Sequence, residues 1–379
     1  MKIGFDGKRA ANNLTGLGNY SRSLIAQLAE AFPQNQYFVY TPKIKEHLQI
    51  LSFFKQKQVF LKLPEQGSLK LMWRTMGVKK QIKKDAIDLF HGLSHEIPVG
   101  LKKEDIKSLV TIHDLIYLRY PQYYKPIDRY IYDLKGKYAC KNSDRIIAIS
   151  ECTKRDLISL YQVDEKKIDV VYQSCDDSFK QPRTQVHNET VRKKYKLPEK
   201  YLLNVGTIEP RKNLLQIIRA LKDIPADYKL VAVGKHQPYI KEVWQEIETL
   251  RLNDRVIFLQ GLPFADLPSV YQMAALFLYP SFYEGFGIPI IEALYSGIPV
   301  IAATGSCLEE AGGPDSMYVH PQDPASLAAA ANKILTNPLL GQQMREKGLN
   351  YVQKFENHLL AKTMMDCYLK TLNGNFAPC

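Results

Sequence analysis

The sequence predicts an α/β protein built from two doubly wound domains, and three observations predict it. Its 379 residues exceed what one hydrophobic core usually fills. Short, uniformly apolar runs alternate with helical patterns along most of the chain, the mark of parallel strands covered on both faces. Midway, the polar stretch DSFKQPRTQVHNETVRKKYKLPEK breaks that rhythm and reads as a linker region.

In the first half KIGFD, YFVYT, VFLKL, DLFHG, SLVTIHD, RIIAIS and DVVYQ are strand candidates, with helices near Asn19 to Phe32 and Asp128 to Lys141. The second of these helices lies in YLRYPQYYKPIDRYIYDLKGKY, rich in tyrosine and lysine. Packing of an amphipathic helix is the first reading of that stretch, ahead of base stacking or acceptor binding. In the second half YLLNVG, YKLVAVG, RVIFLQG, ALFLYP and IPVIAA read as buried strands. NLLQIIRAL, a segment from about Pro238 to Arg251, IPIIEALYSG and ASLAAAANKIL read as the helices between and after them, the last opened by Asp323 as cap and Pro324 as first helical residue. The expected domains are residues 1–175 and 176–356. Open α/β sheets bind ligands at the carboxyl ends of their strands, so two such domains facing each other would share a ligand-binding cleft.

Composition excludes several classes. Apolar residues make up 45% and charged residues 24%, with no low-complexity tract or short repeat, which argues against disorder and against a solenoid. Cys140, Cys152, Cys175, Cys307, Cys367 and Cys379 form no CxxC or Cys/His cluster, so neither a disulfide framework nor a zinc site is expected. MKIGFDGKRA carries charges where a signal peptide needs an apolar run, and no stretch approaches the length of a membrane span, so the expected compartment is the cytoplasm. The net charge of +12 is uneven: residues 1–175 hold 29 Lys and Arg against 18 Asp and Glu, a surplus of +11 that leaves +1 for the rest. A basic first half suits an anionic partner, either a phosphate-bearing substrate, a lipid surface or nucleic acid, or it is a solvated lysine-rich surface. No helix-turn-helix, RNA-binding or zinc-finger signature accompanies it, so no nucleic-acid partner is expected.

Four motifs carry chemistry. EGFGIPIIEA sets Glu284 at the carboxyl end of a strand and Glu292 inside the following helix, across a turn with Gly285, Phe286 and Gly287. Its glycines let backbone N–H groups approach a ligand, and a helix N-terminus attracts phosphate and hydroxyl oxygens. Carboxylates there accept hydrogen bonds from sugar hydroxyls, so a sugar joined to a phosphate is the economical ligand. The ordinary alternative is a Glu284 that caps the helix and a solvated Glu292. VGTIEPRKN ends a strand at Gly206 and Thr207 and delivers Arg211 and Lys212 ahead of the next helix, where cations would offset the charge developing on a diphosphate leaving group. Alternatively both are surface charges, at a position the helix dipole disfavours. KIGFDGKRAANNLTGLGNYSRSL places Gly16 and Gly18 between a strand and a helix, as a phosphate-cradling loop would, without completing a GxGxxG. SLVTIHDL ends a strand in His113, which either meets a substrate hydroxyl or is a hydrogen-bonded structural histidine; His91 in DLFHG is a weaker candidate of the same kind.

Taken together, EGFGIPIIEA, VGTIEPRKN, the N-terminal glycine loop and IHDL resemble the retaining, nucleotide-sugar-dependent glycosyltransferases of family 4, which have the GT-B fold of two Rossmann-like domains facing each other across a cleft. The resemblance spans most of the chain. Within it, GTIEPRKN and TIHDLIYLRYP are similar to bacterial mannosyltransferases that build O-antigen and related surface polysaccharides. Carried over by position, the resemblance implies that Glu284 contacts donor-sugar hydroxyls and that Glu292 holds the nucleotide ribose. Arg211 and Lys212 would neutralise the diphosphate, the backbone around Gly285, Phe286 and Gly287 would meet sugar and phosphate, and His113 would touch the donor sugar. Gly16 and Gly18 would leave room for phosphate or acceptor. Many members have arginine straight after the first glycine of the second motif, where this chain has Thr207 after Gly206, so Arg211 would substitute. The resemblance also implies that the final helix, within residues 357–379, packs back on the first domain.

The expected activity is therefore transfer of a sugar with retention, mannose from GDP-mannose being the first choice, onto a saccharide or polyprenyl-diphosphate-linked acceptor. A UDP- or dTDP-sugar donor, or a nucleotide-sugar epimerase of the same fold, is the alternative. No acidic DxD cluster stands at a strand end, so no metal is expected, and the nucleotide-sugar is a substrate rather than a cofactor. The basic first half would hold the acceptor and rest on the anionic inner face of the membrane. A dinucleotide-dependent dehydrogenase is disfavoured, because no GxGxxG follows the first strand.

Overall fold

The computed structural model describes residues 1–65 and 73–374. Among them the chain divides into two compact units, Met1–Gln173 joined by the C-terminal segment from Phe355, and Ser174–Lys354.

The first unit holds strands β1 (Lys2–Asp6), β2 (Gln36–Tyr40), β3 (Val59–Lys62), β4 (Leu89–Gly92), β5 (Lys107–Ile112), β6 (Arg145–Ala148) and β7 (Ile168–Val170). They form one sheet in the order β3-β2-β1-β4-β5-β6-β7, every neighbouring pair parallel. Strand alternation sends residues to two separate cores. Ile3, Phe5, Tyr37, Val39 and Leu109 enter one, and Phe38, Tyr40, Val110 and Ile112 enter the other. Both faces are covered, which is why these strands read as continuous apolar runs rather than alternating ones. The helix Asn357–Asn373 completes the first of these cores with Ala361, Met364, Met365, Cys367 and Tyr368.

The second unit holds β8 (Tyr201–Val205), β9 (Lys229–Val233), β10 (Val256–Leu259), β11 (Leu276–Tyr279), β12 (Val300–Ala303) and β13 (Met317–Val319), in the order β10-β9-β8-β11-β12-β13 and again all parallel. β13 is an edge strand of three residues, too short and too mixed to stand out in the sequence. β10, at the other edge, is half-buried throughout, so its apolar run reflects one covered face rather than two.

Three expectations need correction or refinement. The stretch read as a linker contains a helix, Gln185–Tyr195, capped by Thr184; of its side chains only Val191 is buried, so it lacks the apolar stripe that would announce a helix. Gly16 and Gly18 do not precede the first long helix but open it, since it runs from Gly16 to Ala31, and a short helix, Lys8–Asn12, already follows β1. The helix Pro126–Asn142 packs as expected, but through Gly136, Ala139 and Cys140 with Tyr138 beside them, while Ile127, Tyr130, Ile131 and Leu134 of its apolar stripe stay exposed. Among the described residues no helix is long and apolar enough to cross a membrane.

One polar link ties the C-terminal helix to the first sheet. His91 and Tyr368 are fully buried; His91 Nδ1 lies 2.8 Å from the Tyr368 hydroxyl and its Nε2 2.8 Å from Thr111 Oγ1. Burial holds His91 down to about 3, so the ring is neutral and needs one donor and one acceptor, which these two hydroxyls supply. Tyr368→Phe leaves one ring nitrogen unpartnered and should cost about 1–3 kcal/mol in the unfolding transition of the first unit, read by denaturant titration.

Candidate active site

In the six-stranded sheet the strand order reverses between β8 and β11, which pair directly through Leu202↔Leu276 and Leu203↔Phe277. The loops leaving the carboxyl ends of these two strands are VGTIEPRKN and EGFGIPIIEA, so the topology alone brings the two motifs together at the switch point.

The first loop leaves β8 through Gly206 and the partly exposed Thr207, then makes a single helical turn, Pro210–Lys212. Asn213 follows in the left-handed conformation at φ 58°, and its side-chain amide donates to the carbonyls of Pro280 and Pro321 at 3.0 and 2.6 Å. That residue anchors the turn to the end of β11 and aims Arg211 and Lys212 at the second loop. A main-chain bond from Phe282 N–H to Arg211 O, 2.9 Å, joins the loops directly.

The second loop runs from β11 to the helix Ile288–Tyr295, with Pro289 in its first turn. The residue at its N-cap, Gly287, has φ 120°, a conformation L side chains rarely adopt, and an added Cβ would also press on Leu308 and Ala311 at 3.1 and 3.3 Å. Gly285 is partly exposed and Phe286 is buried beneath the loop. Cys307 places its Sγ 3.0 Å from the carbonyl oxygens of both Glu284 and Phe286, bracing the turn from below.

Glu284 is buried and does not cap the helix. Its Oε1 receives Lys212 Nζ at 2.6 Å and its Oε2 lies 2.8 Å from Arg211 Nη1. Arg211 also donates to Tyr283 O and pairs with Glu209, each at 2.7 Å. The Tyr279 hydroxyl sits 2.5 Å from Lys212 Nζ and 3.3 Å from Glu284 Oε1. Burial by itself would raise the Glu284 carboxyl, but the two adjacent cations outweigh it and carry it down to about 2. Burial lowers Lys212, and Glu284 opposes that. Arg211 stays firmly charged, because Glu284 and Glu209 overcome its burial.

Glu292 lies one helical turn and more away and has a different environment. It is half-buried, accepts a 2.8 Å hydrogen bond from the Tyr271 hydroxyl, and meets no cation among the contacts described. Burial pushes its carboxyl up to about 7; the Tyr271 bond acts against the rise and Asp176 adds to it. The two acids of one motif are thus held far apart in proton affinity.

The remaining predicted residues belong to the first unit. His113 is buried just past β5. Its Nε2 donates to Leu93 O at 2.9 Å, which leaves Nδ1 to accept from the Gln173 amide at 3.2 Å. Its ring meets Tyr20 edge-on at 4.7 Å and stacks on His95 at 5.6 Å, and burial followed by the His95 charge brings it down to about 4. It is a neutral ring with both nitrogens engaged. His95, which the sequence did not single out, takes φ 60° and accepts the His113 N–H on its Nε2 at 3.2 Å. Gly18 is a glycine for a local reason: an added Cβ would fall 1.9 Å from Asn13 O. The turn before it is held by Arg22, which donates to Ala10 O and Asn13 O at 2.9 and 2.7 Å. At Gly16 a Cβ would meet nothing within 4 Å. Among the described residues no three or more His, Cys, Asp or Glu side chains gather where they could hold a metal ion.

Sequence and fold comparisons place the chain among known proteins. Residues 15–179 match the family described as Glycosyltransferase Family 4 and residues 187–351 match Glycosyl transferases group 1. The O-antigen chain mannosyltransferase B of Escherichia coli is 26% identical over 99% of both chains. The O-antigen chain mannosyltransferase RfbU of Salmonella typhimurium is 32% identical over 63% of each. The Anabaena protein HepE, solved in complex with UDP and glucose, superposes with a TM-score of 0.77 at 17% identity, over 98% of this chain and all of that one. The family matches and the fold together define a glycosyltransferase of the GT-B fold. One glycosyltransferase family model matches its first half and another its second, and O-antigen mannosyltransferases are among the proteins it is similar to.

Because Glu284 has its folded-state proton affinity depressed below the ordinary 4.5, to about 2, its ion pairs contribute stability that is present above pH 4.5 and is lost as pH falls toward 2. The contribution is about 3 kcal/mol. Glu284→Gln should lower the stability of the second unit by that order at pH 7, and by progressively less as denaturation is repeated at pH 4 and pH 3.

Proposed function

We propose that the chain transfers mannose from GDP-mannose, with retention of anomeric configuration, onto a saccharide or polyprenyl-diphosphate-linked saccharide in surface-polysaccharide synthesis. The observation that carries this reading is the buried Glu284 carboxylate held between Lys212 and Arg211 at the point where the second sheet reverses. The relatives named as O-antigen mannosyltransferases support the choice of sugar and of acceptor class.

Arg211 and Lys212 would meet the diphosphate and offset the charge that develops on it as the sugar C1–O bond breaks. Glu284 at about 2 is too weak a base to take a proton near neutral pH, so it serves to hold donor-sugar hydroxyls in place. The acceptor hydroxyl then gives its proton to the departing diphosphate oxygen while its oxygen bonds to C1 on the same face. Glu292 would accept from the ribose hydroxyls beside Tyr271. Gly206, Thr207, Gly285, Phe286 and Gly287 would supply backbone around the donor. His113 would have to exchange its bond to Leu93 or Gln173 to reach a sugar hydroxyl, and Gly16 would leave space for acceptor or phosphate. The reaction would need no metal, the cations being Arg211 and Lys212, and the basic first unit would bring the enzyme to the cytoplasmic face of an anionic membrane.

A thermal-shift panel with GDP, UDP, dTDP, ADP and NAD⁺ at matched concentration tests the donor, since a ligand that binds only the folded state raises the melting temperature. Selective stabilisation by GDP, unchanged in EDTA, is expected. Stabilisation by UDP or dTDP instead would keep the transferase and change the sugar, and a shift with NAD⁺ alone would remove the reading.

A further inference from the structure

Two histidines of the first unit stack on each other, and they differ in what they leave free. Both ring nitrogens of the buried His113 are taken, Nε2 by Leu93 O and Nδ1 by the Gln173 amide. His95 is only partly buried, and its Nε2 accepts the main-chain N–H of His113 at 3.2 Å. A ring nitrogen that accepts carries no proton, so in the neutral ring the proton sits on Nδ1. Burial brings His95 down to about 4, with Glu96 opposing the fall, so the ring is neutral at physiological pH. Among the described residues the Nδ1–H has no hydrogen-bond partner.

The His95 ring is fixed by what surrounds it. Past β4 the loop doubles back so tightly that a Cβ on Gly92 would fall 2.1 Å from Glu96 O. His95 takes φ 60°, which few residues other than glycine adopt, and its own N–H donates to Thr111 O at 2.9 Å. The next residue, Glu96, is paired with Arg74 at 2.7 Å and with Lys135 at 3.1 Å. The ring of His113 lies against that of His95 with centroids 5.6 Å apart. Backbone strain persists only where the surroundings over-determine it, and such positions gather at ligand sites. Arg9 acts electrostatically on both rings and makes no ion pair among the described residues, so a ligand oxygen that meets Nδ1–H also meets the field of a cation.

The geometry points to His95, rather than His113, as the histidine of the first unit that touches substrate: its Nδ1–H donates to a hydroxyl oxygen of the donor sugar, and His113 is the positioning residue that holds it. This deepens the donor-sugar reading and rests on it. His95 can make the contact without giving up a bond, whereas His113 would first have to release Leu93 or Gln173. A fixed donor of this kind also selects, because a sugar lacking that oxygen leaves the N–H unpaired in a closed site.

Two substitutions separate the two ring nitrogens. Asparagine brings an amide donor to the Nδ1 position and tolerates positive φ, but it leaves the His113 N–H without its acceptor. Glutamine carries its amide oxygen out to the Nε2 position and keeps that acceptor, but it leaves the Nδ1 position without a donor; the chain already accommodates Gln162 at φ 53°. Hydrolysis of GDP-mannose without acceptor, water replacing GDP on the sugar C1, is followed for the wild type, His95→Gln and His95→Asn. GDP-induced thermal shifts on the same samples report folding and nucleotide binding. We expect kcat/KM to fall about tenfold or more in His95→Gln and to stay within about threefold in His95→Asn, with the GDP shift unchanged in both. The assignment is overturned if the glutamine variant keeps its activity, if the asparagine variant falls as far as the glutamine one, or if either loses its thermal transition, which would make the residue structural. A GDP shift in all three proteins with full hydrolysis by His95→Gln overturns this assignment alone, whereas a wild type that neither shifts with GDP nor hydrolyses GDP-mannose removes the donor reading and the assignment with it.

Discussion

A carboxylate fixed between two cations, at the place where a parallel sheet reverses its order, is the interaction on which the second unit is arranged. Charges this buried are stable only when paired and further hydrogen-bonded. Glu284 meets that requirement through Lys212, Arg211 and Tyr279, and each partner has its own anchor. Arg211 is held by Tyr283 and Glu209, and the turn that carries both cations is held by Asn213. The backbone follows from the same constraint. Gly287 accepts a φ that other residues resist, and Cys307 supports the carbonyls on either side of Gly285.

The seven residues between Glu284 and Glu292 separate two electrostatic regimes. One acid faces cations and remains ionised well into acid; the other faces a tyrosine and low-dielectric surroundings and titrates near neutrality. Environments that push like groups apart in this way assign them different work. A permanently ionised Glu284 suits orientation of hydroxyls. Glu292 is near its own midpoint at physiological pH, so its capacity to accept from a ligand varies with pH.

Much of this was legible in the sequence because it rests on local signals. Apart from β13, the strands of both sheets were visible as apolar runs, since a parallel sheet covered on two faces leaves no alternation to decode. The pairing of RK with EGFG was visible because both follow strands, and strand ends are where open sheets place their loops. The partners of those residues were not. Tyr271 sits in a helix, Tyr279 in a strand and Cys307 in the turn before a helix, all as ordinary apolar-looking positions, and nothing in their spacing points at a carboxylate or a loop carbonyl. Gly18 shows why a glycine is hard to read in one dimension: one demanded by close approach to Asn13 looks like one demanded by phosphate. The helix Pro126–Asn142 packs as its stretch suggested, but which side would pack was not legible: its small residues face the core and its apolar stripe faces outward.

The central claim is that Lys212 and Arg211 are built to meet a diphosphate, with Glu284 holding them in place until it arrives. Calorimetric titration of the wild type and Lys212→Met with the stabilising nucleoside diphosphate, and with its monophosphate, tests this most directly. The diphosphate should bind the wild type more tightly, and the substitution should weaken it about tenfold or more while leaving the monophosphate nearly unchanged. Equal diphosphate affinity in both proteins would contradict the claim and leave the buried triad with a structural role alone.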